Sequence, residues 1–151
     1  HALAVIGNAR LGKNYNADRA AVLGLFHDSQ EIITGDMPTP VKYQNEKILS
    51  AFKEIEDCAT ERLVSMLPAD LREGYYNLLT GNNDEELMVL VKAADKFSAL
   101  IKCIEERKAG NQEFKKAESS TKKKISALKL KEADIFMEEF LPAFELSLDQ
   151  L

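Results

Sequence analysis

Apolar residues return every three or four positions along almost the whole of this chain, and that pattern alone excludes most folds. Phe136, Phe140, Phe144 and Leu148 form one stripe at a spacing of four, and Leu87, Val91, Ala94, Ser98 and Ile101 form another. A period near 3.6 buries one face of a helix, whereas a half-buried strand needs alternation with a period of two. Long alternating Val/Ile/Thr runs are missing, as is an Asn-Gly hairpin between such runs. The spacing predicts helices near 1–11, 17–32, 42–66, 68–80, 84–108, 111–129 and 131–148. Between them stand "GKNYNAD", "TGDMPTP", "LPAD", "TGNND" and "AGNQ", each rich in turn-forming residues. Asn16 or Asp18 suits the cap of the second helix and Asp84 that of the fifth. Pro38 and Pro40 should stop a helix and hold the segment between them extended. With no repeat and no linker, the expectation is one all-α domain, a helical bundle spanning 1–151.

At 151 residues and 45% hydrophobic content, the chain can bury a sizeable core, which excludes disorder as its general state. A formal charge of −5 argues against a partner that is a nucleic-acid polymer. It leaves room for a small anionic substrate, because a cation or a few lysines can reverse the field inside one pocket. The run "KKK" at 122–124, with Glu118 and Glu132 nearby, reads first as a solvated face and second as a phosphate or nucleic-acid contact. The phenylalanine stripe at 136–148 reads as a core or dimer-packing helix. Cys58 and Cys103 form no Cys-x-x-Cys pair, which fits reduced thiols in a cytoplasmic protein. No apolar run approaches the roughly 20 residues of a membrane span, and no secretory signal pattern is visible. The opening "HALAVIGNARLG" lacks both a Met and an N-cap, so it reads as the interior of a helix in a chain whose N-terminal part is not represented.

The stretch "FHDSQEIITGDMPTP" at 26–40 raises a question of chemistry. On a continuous helix, Ala20, Leu23, Gly24, His27 and Glu31 share about one third of the circumference, and Leu23 points that third inward. His27, Asp28 and Glu31 would then converge near the end of the helix. Buried carboxylates cost several kcal/mol each unless paired or bound to a cation. An imidazole with carboxylates suits a borderline divalent ion such as Mn²⁺, Co²⁺, Fe²⁺ or Zn²⁺. The best distant contributor is Asp95, on the edge of the apolar helix "LMVLVKAADKFSALIKC". Two plainer readings stand beside this one: a core histidine satisfied by Asp28 or a carbonyl, and an Asp95 that is solvated or paired with Lys102.

Beyond the His-Asp dipeptide, the longer blocks "FHDSQEIITGDMPTPVKY", "VKAADKFSALIKCIEERKAGN" and "FMEEFLPAFELSLDQL" closely resemble the bacterial YfbR-type 5′-deoxynucleotidases. These belong to the HD-domain superfamily of metal-dependent phosphohydrolases, and the resemblance runs over essentially the whole chain. It implies an all-α homodimer that hydrolyses deoxyribonucleoside 5′-monophosphates with one divalent ion, Co²⁺ or Mn²⁺ foremost, held by two histidines and two aspartates. Carried onto matching positions, it makes His27, Asp28 and Asp95 metal ligands and Glu31 the acid that orients or deprotonates the attacking water. Asp28 also faces substrate, and Asp36, Met37, Pro38 and Thr39 form the substrate-contacting segment, with Asp36 placed among the catalytic groups.

The family's first ligand histidine, and an arginine and a tryptophan that bind phosphate and select the sugar, belong to a segment upstream of His1. His1 matches a histidine that is not a ligand, and the chain contains no Trp. The expectation is therefore that this chain alone binds metal weakly and turns over little. Two alternatives remain open at this level: an HD-type phosphohydrolase for another nucleotide or diphosphate, and a non-catalytic helical dimerisation or binding module.

Overall fold

Three polar residues in a row, His27-Asp28-Ser29, decide where the second helix stops. The computed structural model describes residues 1–150, apart from the side chains of Thr39, Pro40 and Leu148, and Leu151 also lies outside the description. Helix α1 runs Ala2–Leu11 and α2 runs Ala17–Phe26. Residues 27–30 then form a turn, and the short α3 follows over Glu31–Thr34. The single helix expected over 17–32 is thus broken. The Ser29 hydroxyl and amide both donate to the Phe26 carbonyl, at 2.8 and 3.0 Å, so local side-chain bonding displaces the helical ladder.

The remaining helices are α4 (Thr39–Lys42), α5 (Glu46–Ser65), α6 (Arg72–Thr80), α7 (Glu85–Lys108), α8 (Lys115–Ala127) and α9 (Lys131–Ile135). No strand occurs among the described residues, and none of their helices is long and apolar enough to cross a membrane. The residues between Pro38 and Pro40 are not extended as expected. The Pro38 carbonyl accepts from the amides of Val41 and Lys42, at 2.8 and 3.1 Å, and opens α4. Pro40 falls in the first turn of that helix, where its missing N–H is no loss.

The chain divides into two compact units, His1–Gly24 with Glu86–Leu151, and Leu25–Glu85. In the first, α7 buries Leu87, Leu90, Val91, Ala93, Phe97, Leu100, Cys103 and Ile104. The expected stripe through Ala94, Ser98 and Ile101 is not the buried one: Ala94 and Ser98 are exposed and Ile101 is half-buried. Both faces have helical spacing, but the bulky Leu90, Phe97, Leu100 and Ile104 withdraw far more apolar area from water than alanine and serine do. Asn16 caps α2, its side-chain oxygen accepting from the Arg19 amide at 2.9 Å. Buried Glu132 accepts from the Tyr15 hydroxyl at 3.0 Å, and Tyr15 exchanges two bonds with the Asn8 side chain, at 2.7 and 2.8 Å. Burial foremost, then the Glu132 carboxylate, pushes the Tyr15 phenol up to about 12.

The helix expected over 131–148 also changes character. Beyond Ile135 a π turn covers Phe136–Phe140 and a 3₁₀ turn covers Leu141–Glu145. Pro142 cannot donate to residue 138, and its ring would meet that carbonyl in an α-helix; the wider turn avoids both. The phenylalanine stripe is accordingly not core. Phe136 is half-buried and stacks on Phe140 at 5.4 Å, while Phe140 and Phe144 are exposed; Leu141 is the residue that goes inside. The Leu148 side chain, also assigned to that stripe, lies outside the described residues.

In the second unit, α5 packs with α3, α4 and α6 and buries Phe52, Ala59, Thr60 and Val64. Its start is fixed by Asn45, whose side-chain oxygen accepts from the Ile48 amide at 3.0 Å. The Phe26 ring meets the Tyr75 ring edge-on at 6.4 Å. Cys58 is exposed and Cys103, in the first unit, is buried; both are free thiols.

Candidate metal centre

The turn that ends α2 brings two unlike donors together. His27 Nε2 stands 2.8 Å from Asp28 Oδ2, with the imidazole about a quarter and the carboxylate about half exposed. The pair therefore forms on a turn at the surface of its unit rather than on the buried face of a continuous helix. That exposure lowers the cost of keeping Asp28 ionised.

Glu31 opens α3, three residues after Asp28, and is half-buried. Its carboxyl is pushed above the usual carboxylate range, first by burial and then by the negative charges of Asp28 and Asp36; Lys42 pulls the other way and Glu56 adds a smaller push. Sequence reasoning missed this last pair. Lys42 Nζ lies 2.7 Å from Glu56 Oε1 and 4.8 Å from the centre of the Phe52 ring. Burial opposes the Lys42 charge, yet its bond to Glu56 holds the ammonium above its ordinary value. Lys42 was visible as the lysine of "PTPVKY", whereas nothing local marks Glu56 among the acidic residues of α5.

The loop after α3 begins at Gly35, whose φ of 70° and ψ of 163° favour glycine strongly. Thr34 braces it by donating from its hydroxyl to the Gly35 carbonyl at 2.9 Å. Asp36 and Pro38 are exposed and Met37 is half-buried; the Thr39 side chain lies outside the described residues. Asp95 is exposed on α7, in the first unit, where a charged carboxylate carries little cost. Its anticipated partner Lys102 instead pairs with Glu106, at 2.6 Å. His1 Nε2 stands 3.5 Å from Asp18 Oδ1, also in the first unit.

Chemically, an imidazole nitrogen beside a carboxylate oxygen, as His27 and Asp28 provide, suits a divalent ion of borderline softness. The Asp28 carboxylate, about half exposed, stays ionised without a large desolvation cost, while the His27 Nε2 atom beside it is buried.

A family model described as 5′-deoxynucleotidase YfbR-like matches residues 1–144. A 5′-deoxynucleotidase of Photorhabdus temperata is 45% identical over 152 aligned residues, covering all of this chain and 77% of its own length. Enzymes of the same name from Erwinia tasmaniensis and an Enterobacter species are 44% and 45% identical, with 77% and 76% of their lengths covered. With a family model over nearly its whole length and relatives this similar, the chain belongs to the YfbR-like 5′-deoxynucleotidase family.

Proposed function

We propose that the protein is a metal-dependent hydrolase that converts deoxyribonucleoside 5′-monophosphates to deoxynucleoside and phosphate. The observation that carries this reading is local: a His27–Asp28 donor pair followed three residues later by Glu31, a carboxyl of weakened acidity. Family membership supplies the substrate class, since the relatives are named 5′-deoxynucleotidases.

In this reading His27, Asp28 and Asp95 hold one divalent ion, Co²⁺ or Mn²⁺ foremost. When bound, such an ion neutralises phosphoryl charge and makes a nearby water more acidic. Glu31 accepts the proton of the attacking water. A carboxyl held above its ordinary range is a stronger base once ionised, which suits it to that task. The new bond joins water oxygen to phosphorus, the bond from phosphorus to the 5′ oxygen breaks, and that oxygen leaves protonated by the proton that Glu31 accepted, which regenerates the base. Asp36, Met37, Pro38 and Thr39 line the substrate, with Asp28 at its phosphate end. As an acceptor only, ionised Asp36 suits a sugar hydroxyl better than a phosphate oxygen. The Gly35 turn and Pro38 stiffen that wall, and positioning gains from stiffness.

The fourth ligand implied by the resemblance is a second histidine. His27 and His1 are the two histidines of this sequence, and His1 pairs with Asp18. The chain by itself should therefore hold the ion weakly; a calorimetric titration giving tight one-to-one binding would overturn this. A cytoplasmic homodimer completes the proposal, supported by the exposure of Leu25, Ile32 and Tyr43, and light scattering tests it.

The decisive assay measures phosphate release by the protein, at the full length of its relatives, with Co²⁺ or Mn²⁺ and a panel of dNMPs, NMPs and dNTPs. Turnover confined to dNMPs is expected. Asp28→Ala should abolish it, and Glu31→Ala should slow it while the metal stays bound. Equal turnover of ribonucleotides would refute the sugar specificity, preference for triphosphates would point to another HD-type reaction, and no release at all would leave a helical binding module.

A further inference from the structure

The lysine run at 122–124 has no part in the chemistry above, yet two of its members line a cleft of about 500 Å³. The cleft lies wholly within the first unit, between the end of α7 and one face of α8. Its lining is Arg107, Lys115, Glu118, Ser119, Lys122 and Lys123. Positions 115, 119, 122 and 123 are spaced by four, seven and eight, so they share a single helical face. Four cations thus face one carboxylate in a chain whose net charge is −5.

That carboxylate is already spoken for. Glu118 is 8% exposed, accepting from Lys122 Nζ at 2.7 Å and from Arg107 Nε at 2.8 Å. The other edge of Arg107 grips Glu145 through two contacts, at 2.6 and 2.7 Å. Glu118 therefore acts as a floor that fixes Arg107 and Lys122 in place. Lys115 and Lys123 have no carboxylate partner among the described residues, although like charges on one helix face repel. A concave wall of fixed and unpaired cations concentrates positive potential and draws small anions.

We propose that this cleft is an anion site, separate from the candidate metal centre, for a solute carrying a short chain of phosphates. A single phosphate would engage only part of the row from Lys115 to Lys123, while a nucleic-acid polymer would meet the acidic remainder of the chain. A triphosphate, free or as part of a nucleotide, spans the row with a charge opposed to the lysines, and the Ser119 hydroxyl provides a neutral donor between them.

The test is an amide-resolved NMR titration in EDTA, with inorganic triphosphate in one arm and a nucleoside triphosphate in the other. Saturable shifts at Arg107 and across 115–123 are expected, weakening as salt rises. Lys115→Gln combined with Lys123→Gln should weaken binding roughly tenfold or more through loss of two charge-assisted contacts. Lys47→Gln with Lys53→Gln, exposed in the other unit, should leave it unchanged. Tighter binding of the nucleotide identifies it as the ligand, and equal binding identifies the phosphate chain alone; either supports the site. Loss of like-charge repulsion should leave the melting temperature of the 115/123 variant at or above that of the unmodified protein. Shifts clustered at 27–39, no saturable shifts, or an unchanged affinity in the folded 115/123 variant would overturn the proposal.

Discussion

Replacing Gly7 by alanine should destabilise the protein even though alanine is the better helix former. Gly7 lies inside α1 and is buried. A Cβ there would come within 2.5 and 2.9 Å of the Tyr15 ring carbons Cε2 and Cδ2, and 3.0 Å of Glu132 Oε1. The ring cannot swing aside freely, because Asn8 holds its backbone at both ends and Glu132 holds its hydroxyl. Helix propensity would return up to about 1 kcal/mol. Against it stand an overpacking cost of about 1–3 kcal/mol and the weakening of a hydrogen bond to a buried carboxylate, worth about 1.5–3 kcal/mol. The net loss should be about 2–4 kcal/mol, seen as a melting temperature lower by roughly 5–15 °C in a chain of this size. Gly74→Ala, in α6, is the matched control: nothing lies within 4 Å of a Cβ there, so propensity should win and the variant should gain up to about 1 kcal/mol. Urea unfolding followed by circular dichroism reads both. If Gly7→Ala proved as stable as the unmodified protein, the close approach of α1 to Tyr15 would be refuted. A Tyr15→Ala background should remove most of the penalty, because the clash would be gone.

The same tyrosine gives a pH signature. Its phenol ionises near 10 in the unfolded chain and at about 12 in the fold, so its stabilisation is complete below pH 10 and is lost as pH rises towards 12; Tyr15→Phe should abolish that component of the alkaline melting profile. At the candidate site, turnover needs ionised Glu31 and should rise as pH passes its titration. Lys42→Gln removes a positive charge that favours ionisation and should move the acid limb of kcat/KM to higher pH, while Glu56→Gln should move it lower; shifts in the same direction would refute the electrostatic reading. Asn45→Ala should cost about 0.5–2 kcal/mol by removing the cap of α5, measured by urea unfolding.

Sequence alone carried the features that depend on neighbours within a few positions. Helical spacing excluded strands, Asn16 or Asp18 was marked as the cap of the second helix, and the block from His27 to Thr39 stood out as a histidine with carboxylates beside a Gly/Pro loop. Each of these rests on contacts closed within one or two helical turns. The choices made in the tertiary structure were of another kind. Periodicity pointed to a stripe on α7 through Ala94, Ser98 and Ile101, and packing instead put Phe97 and Leu100 inside while leaving Ala94 and Ser98 outside. A projection of the second helix could not reveal that Ser29 would end it and turn His27 and Asp28 toward each other at the surface. Nor could it reveal that Glu56, on α5, would hold Lys42 and so help set the acidity of Glu31. Burial, ion pairing and shifted acidity depend on which distant groups arrive at the same place, and the local pattern of a sequence does not encode that.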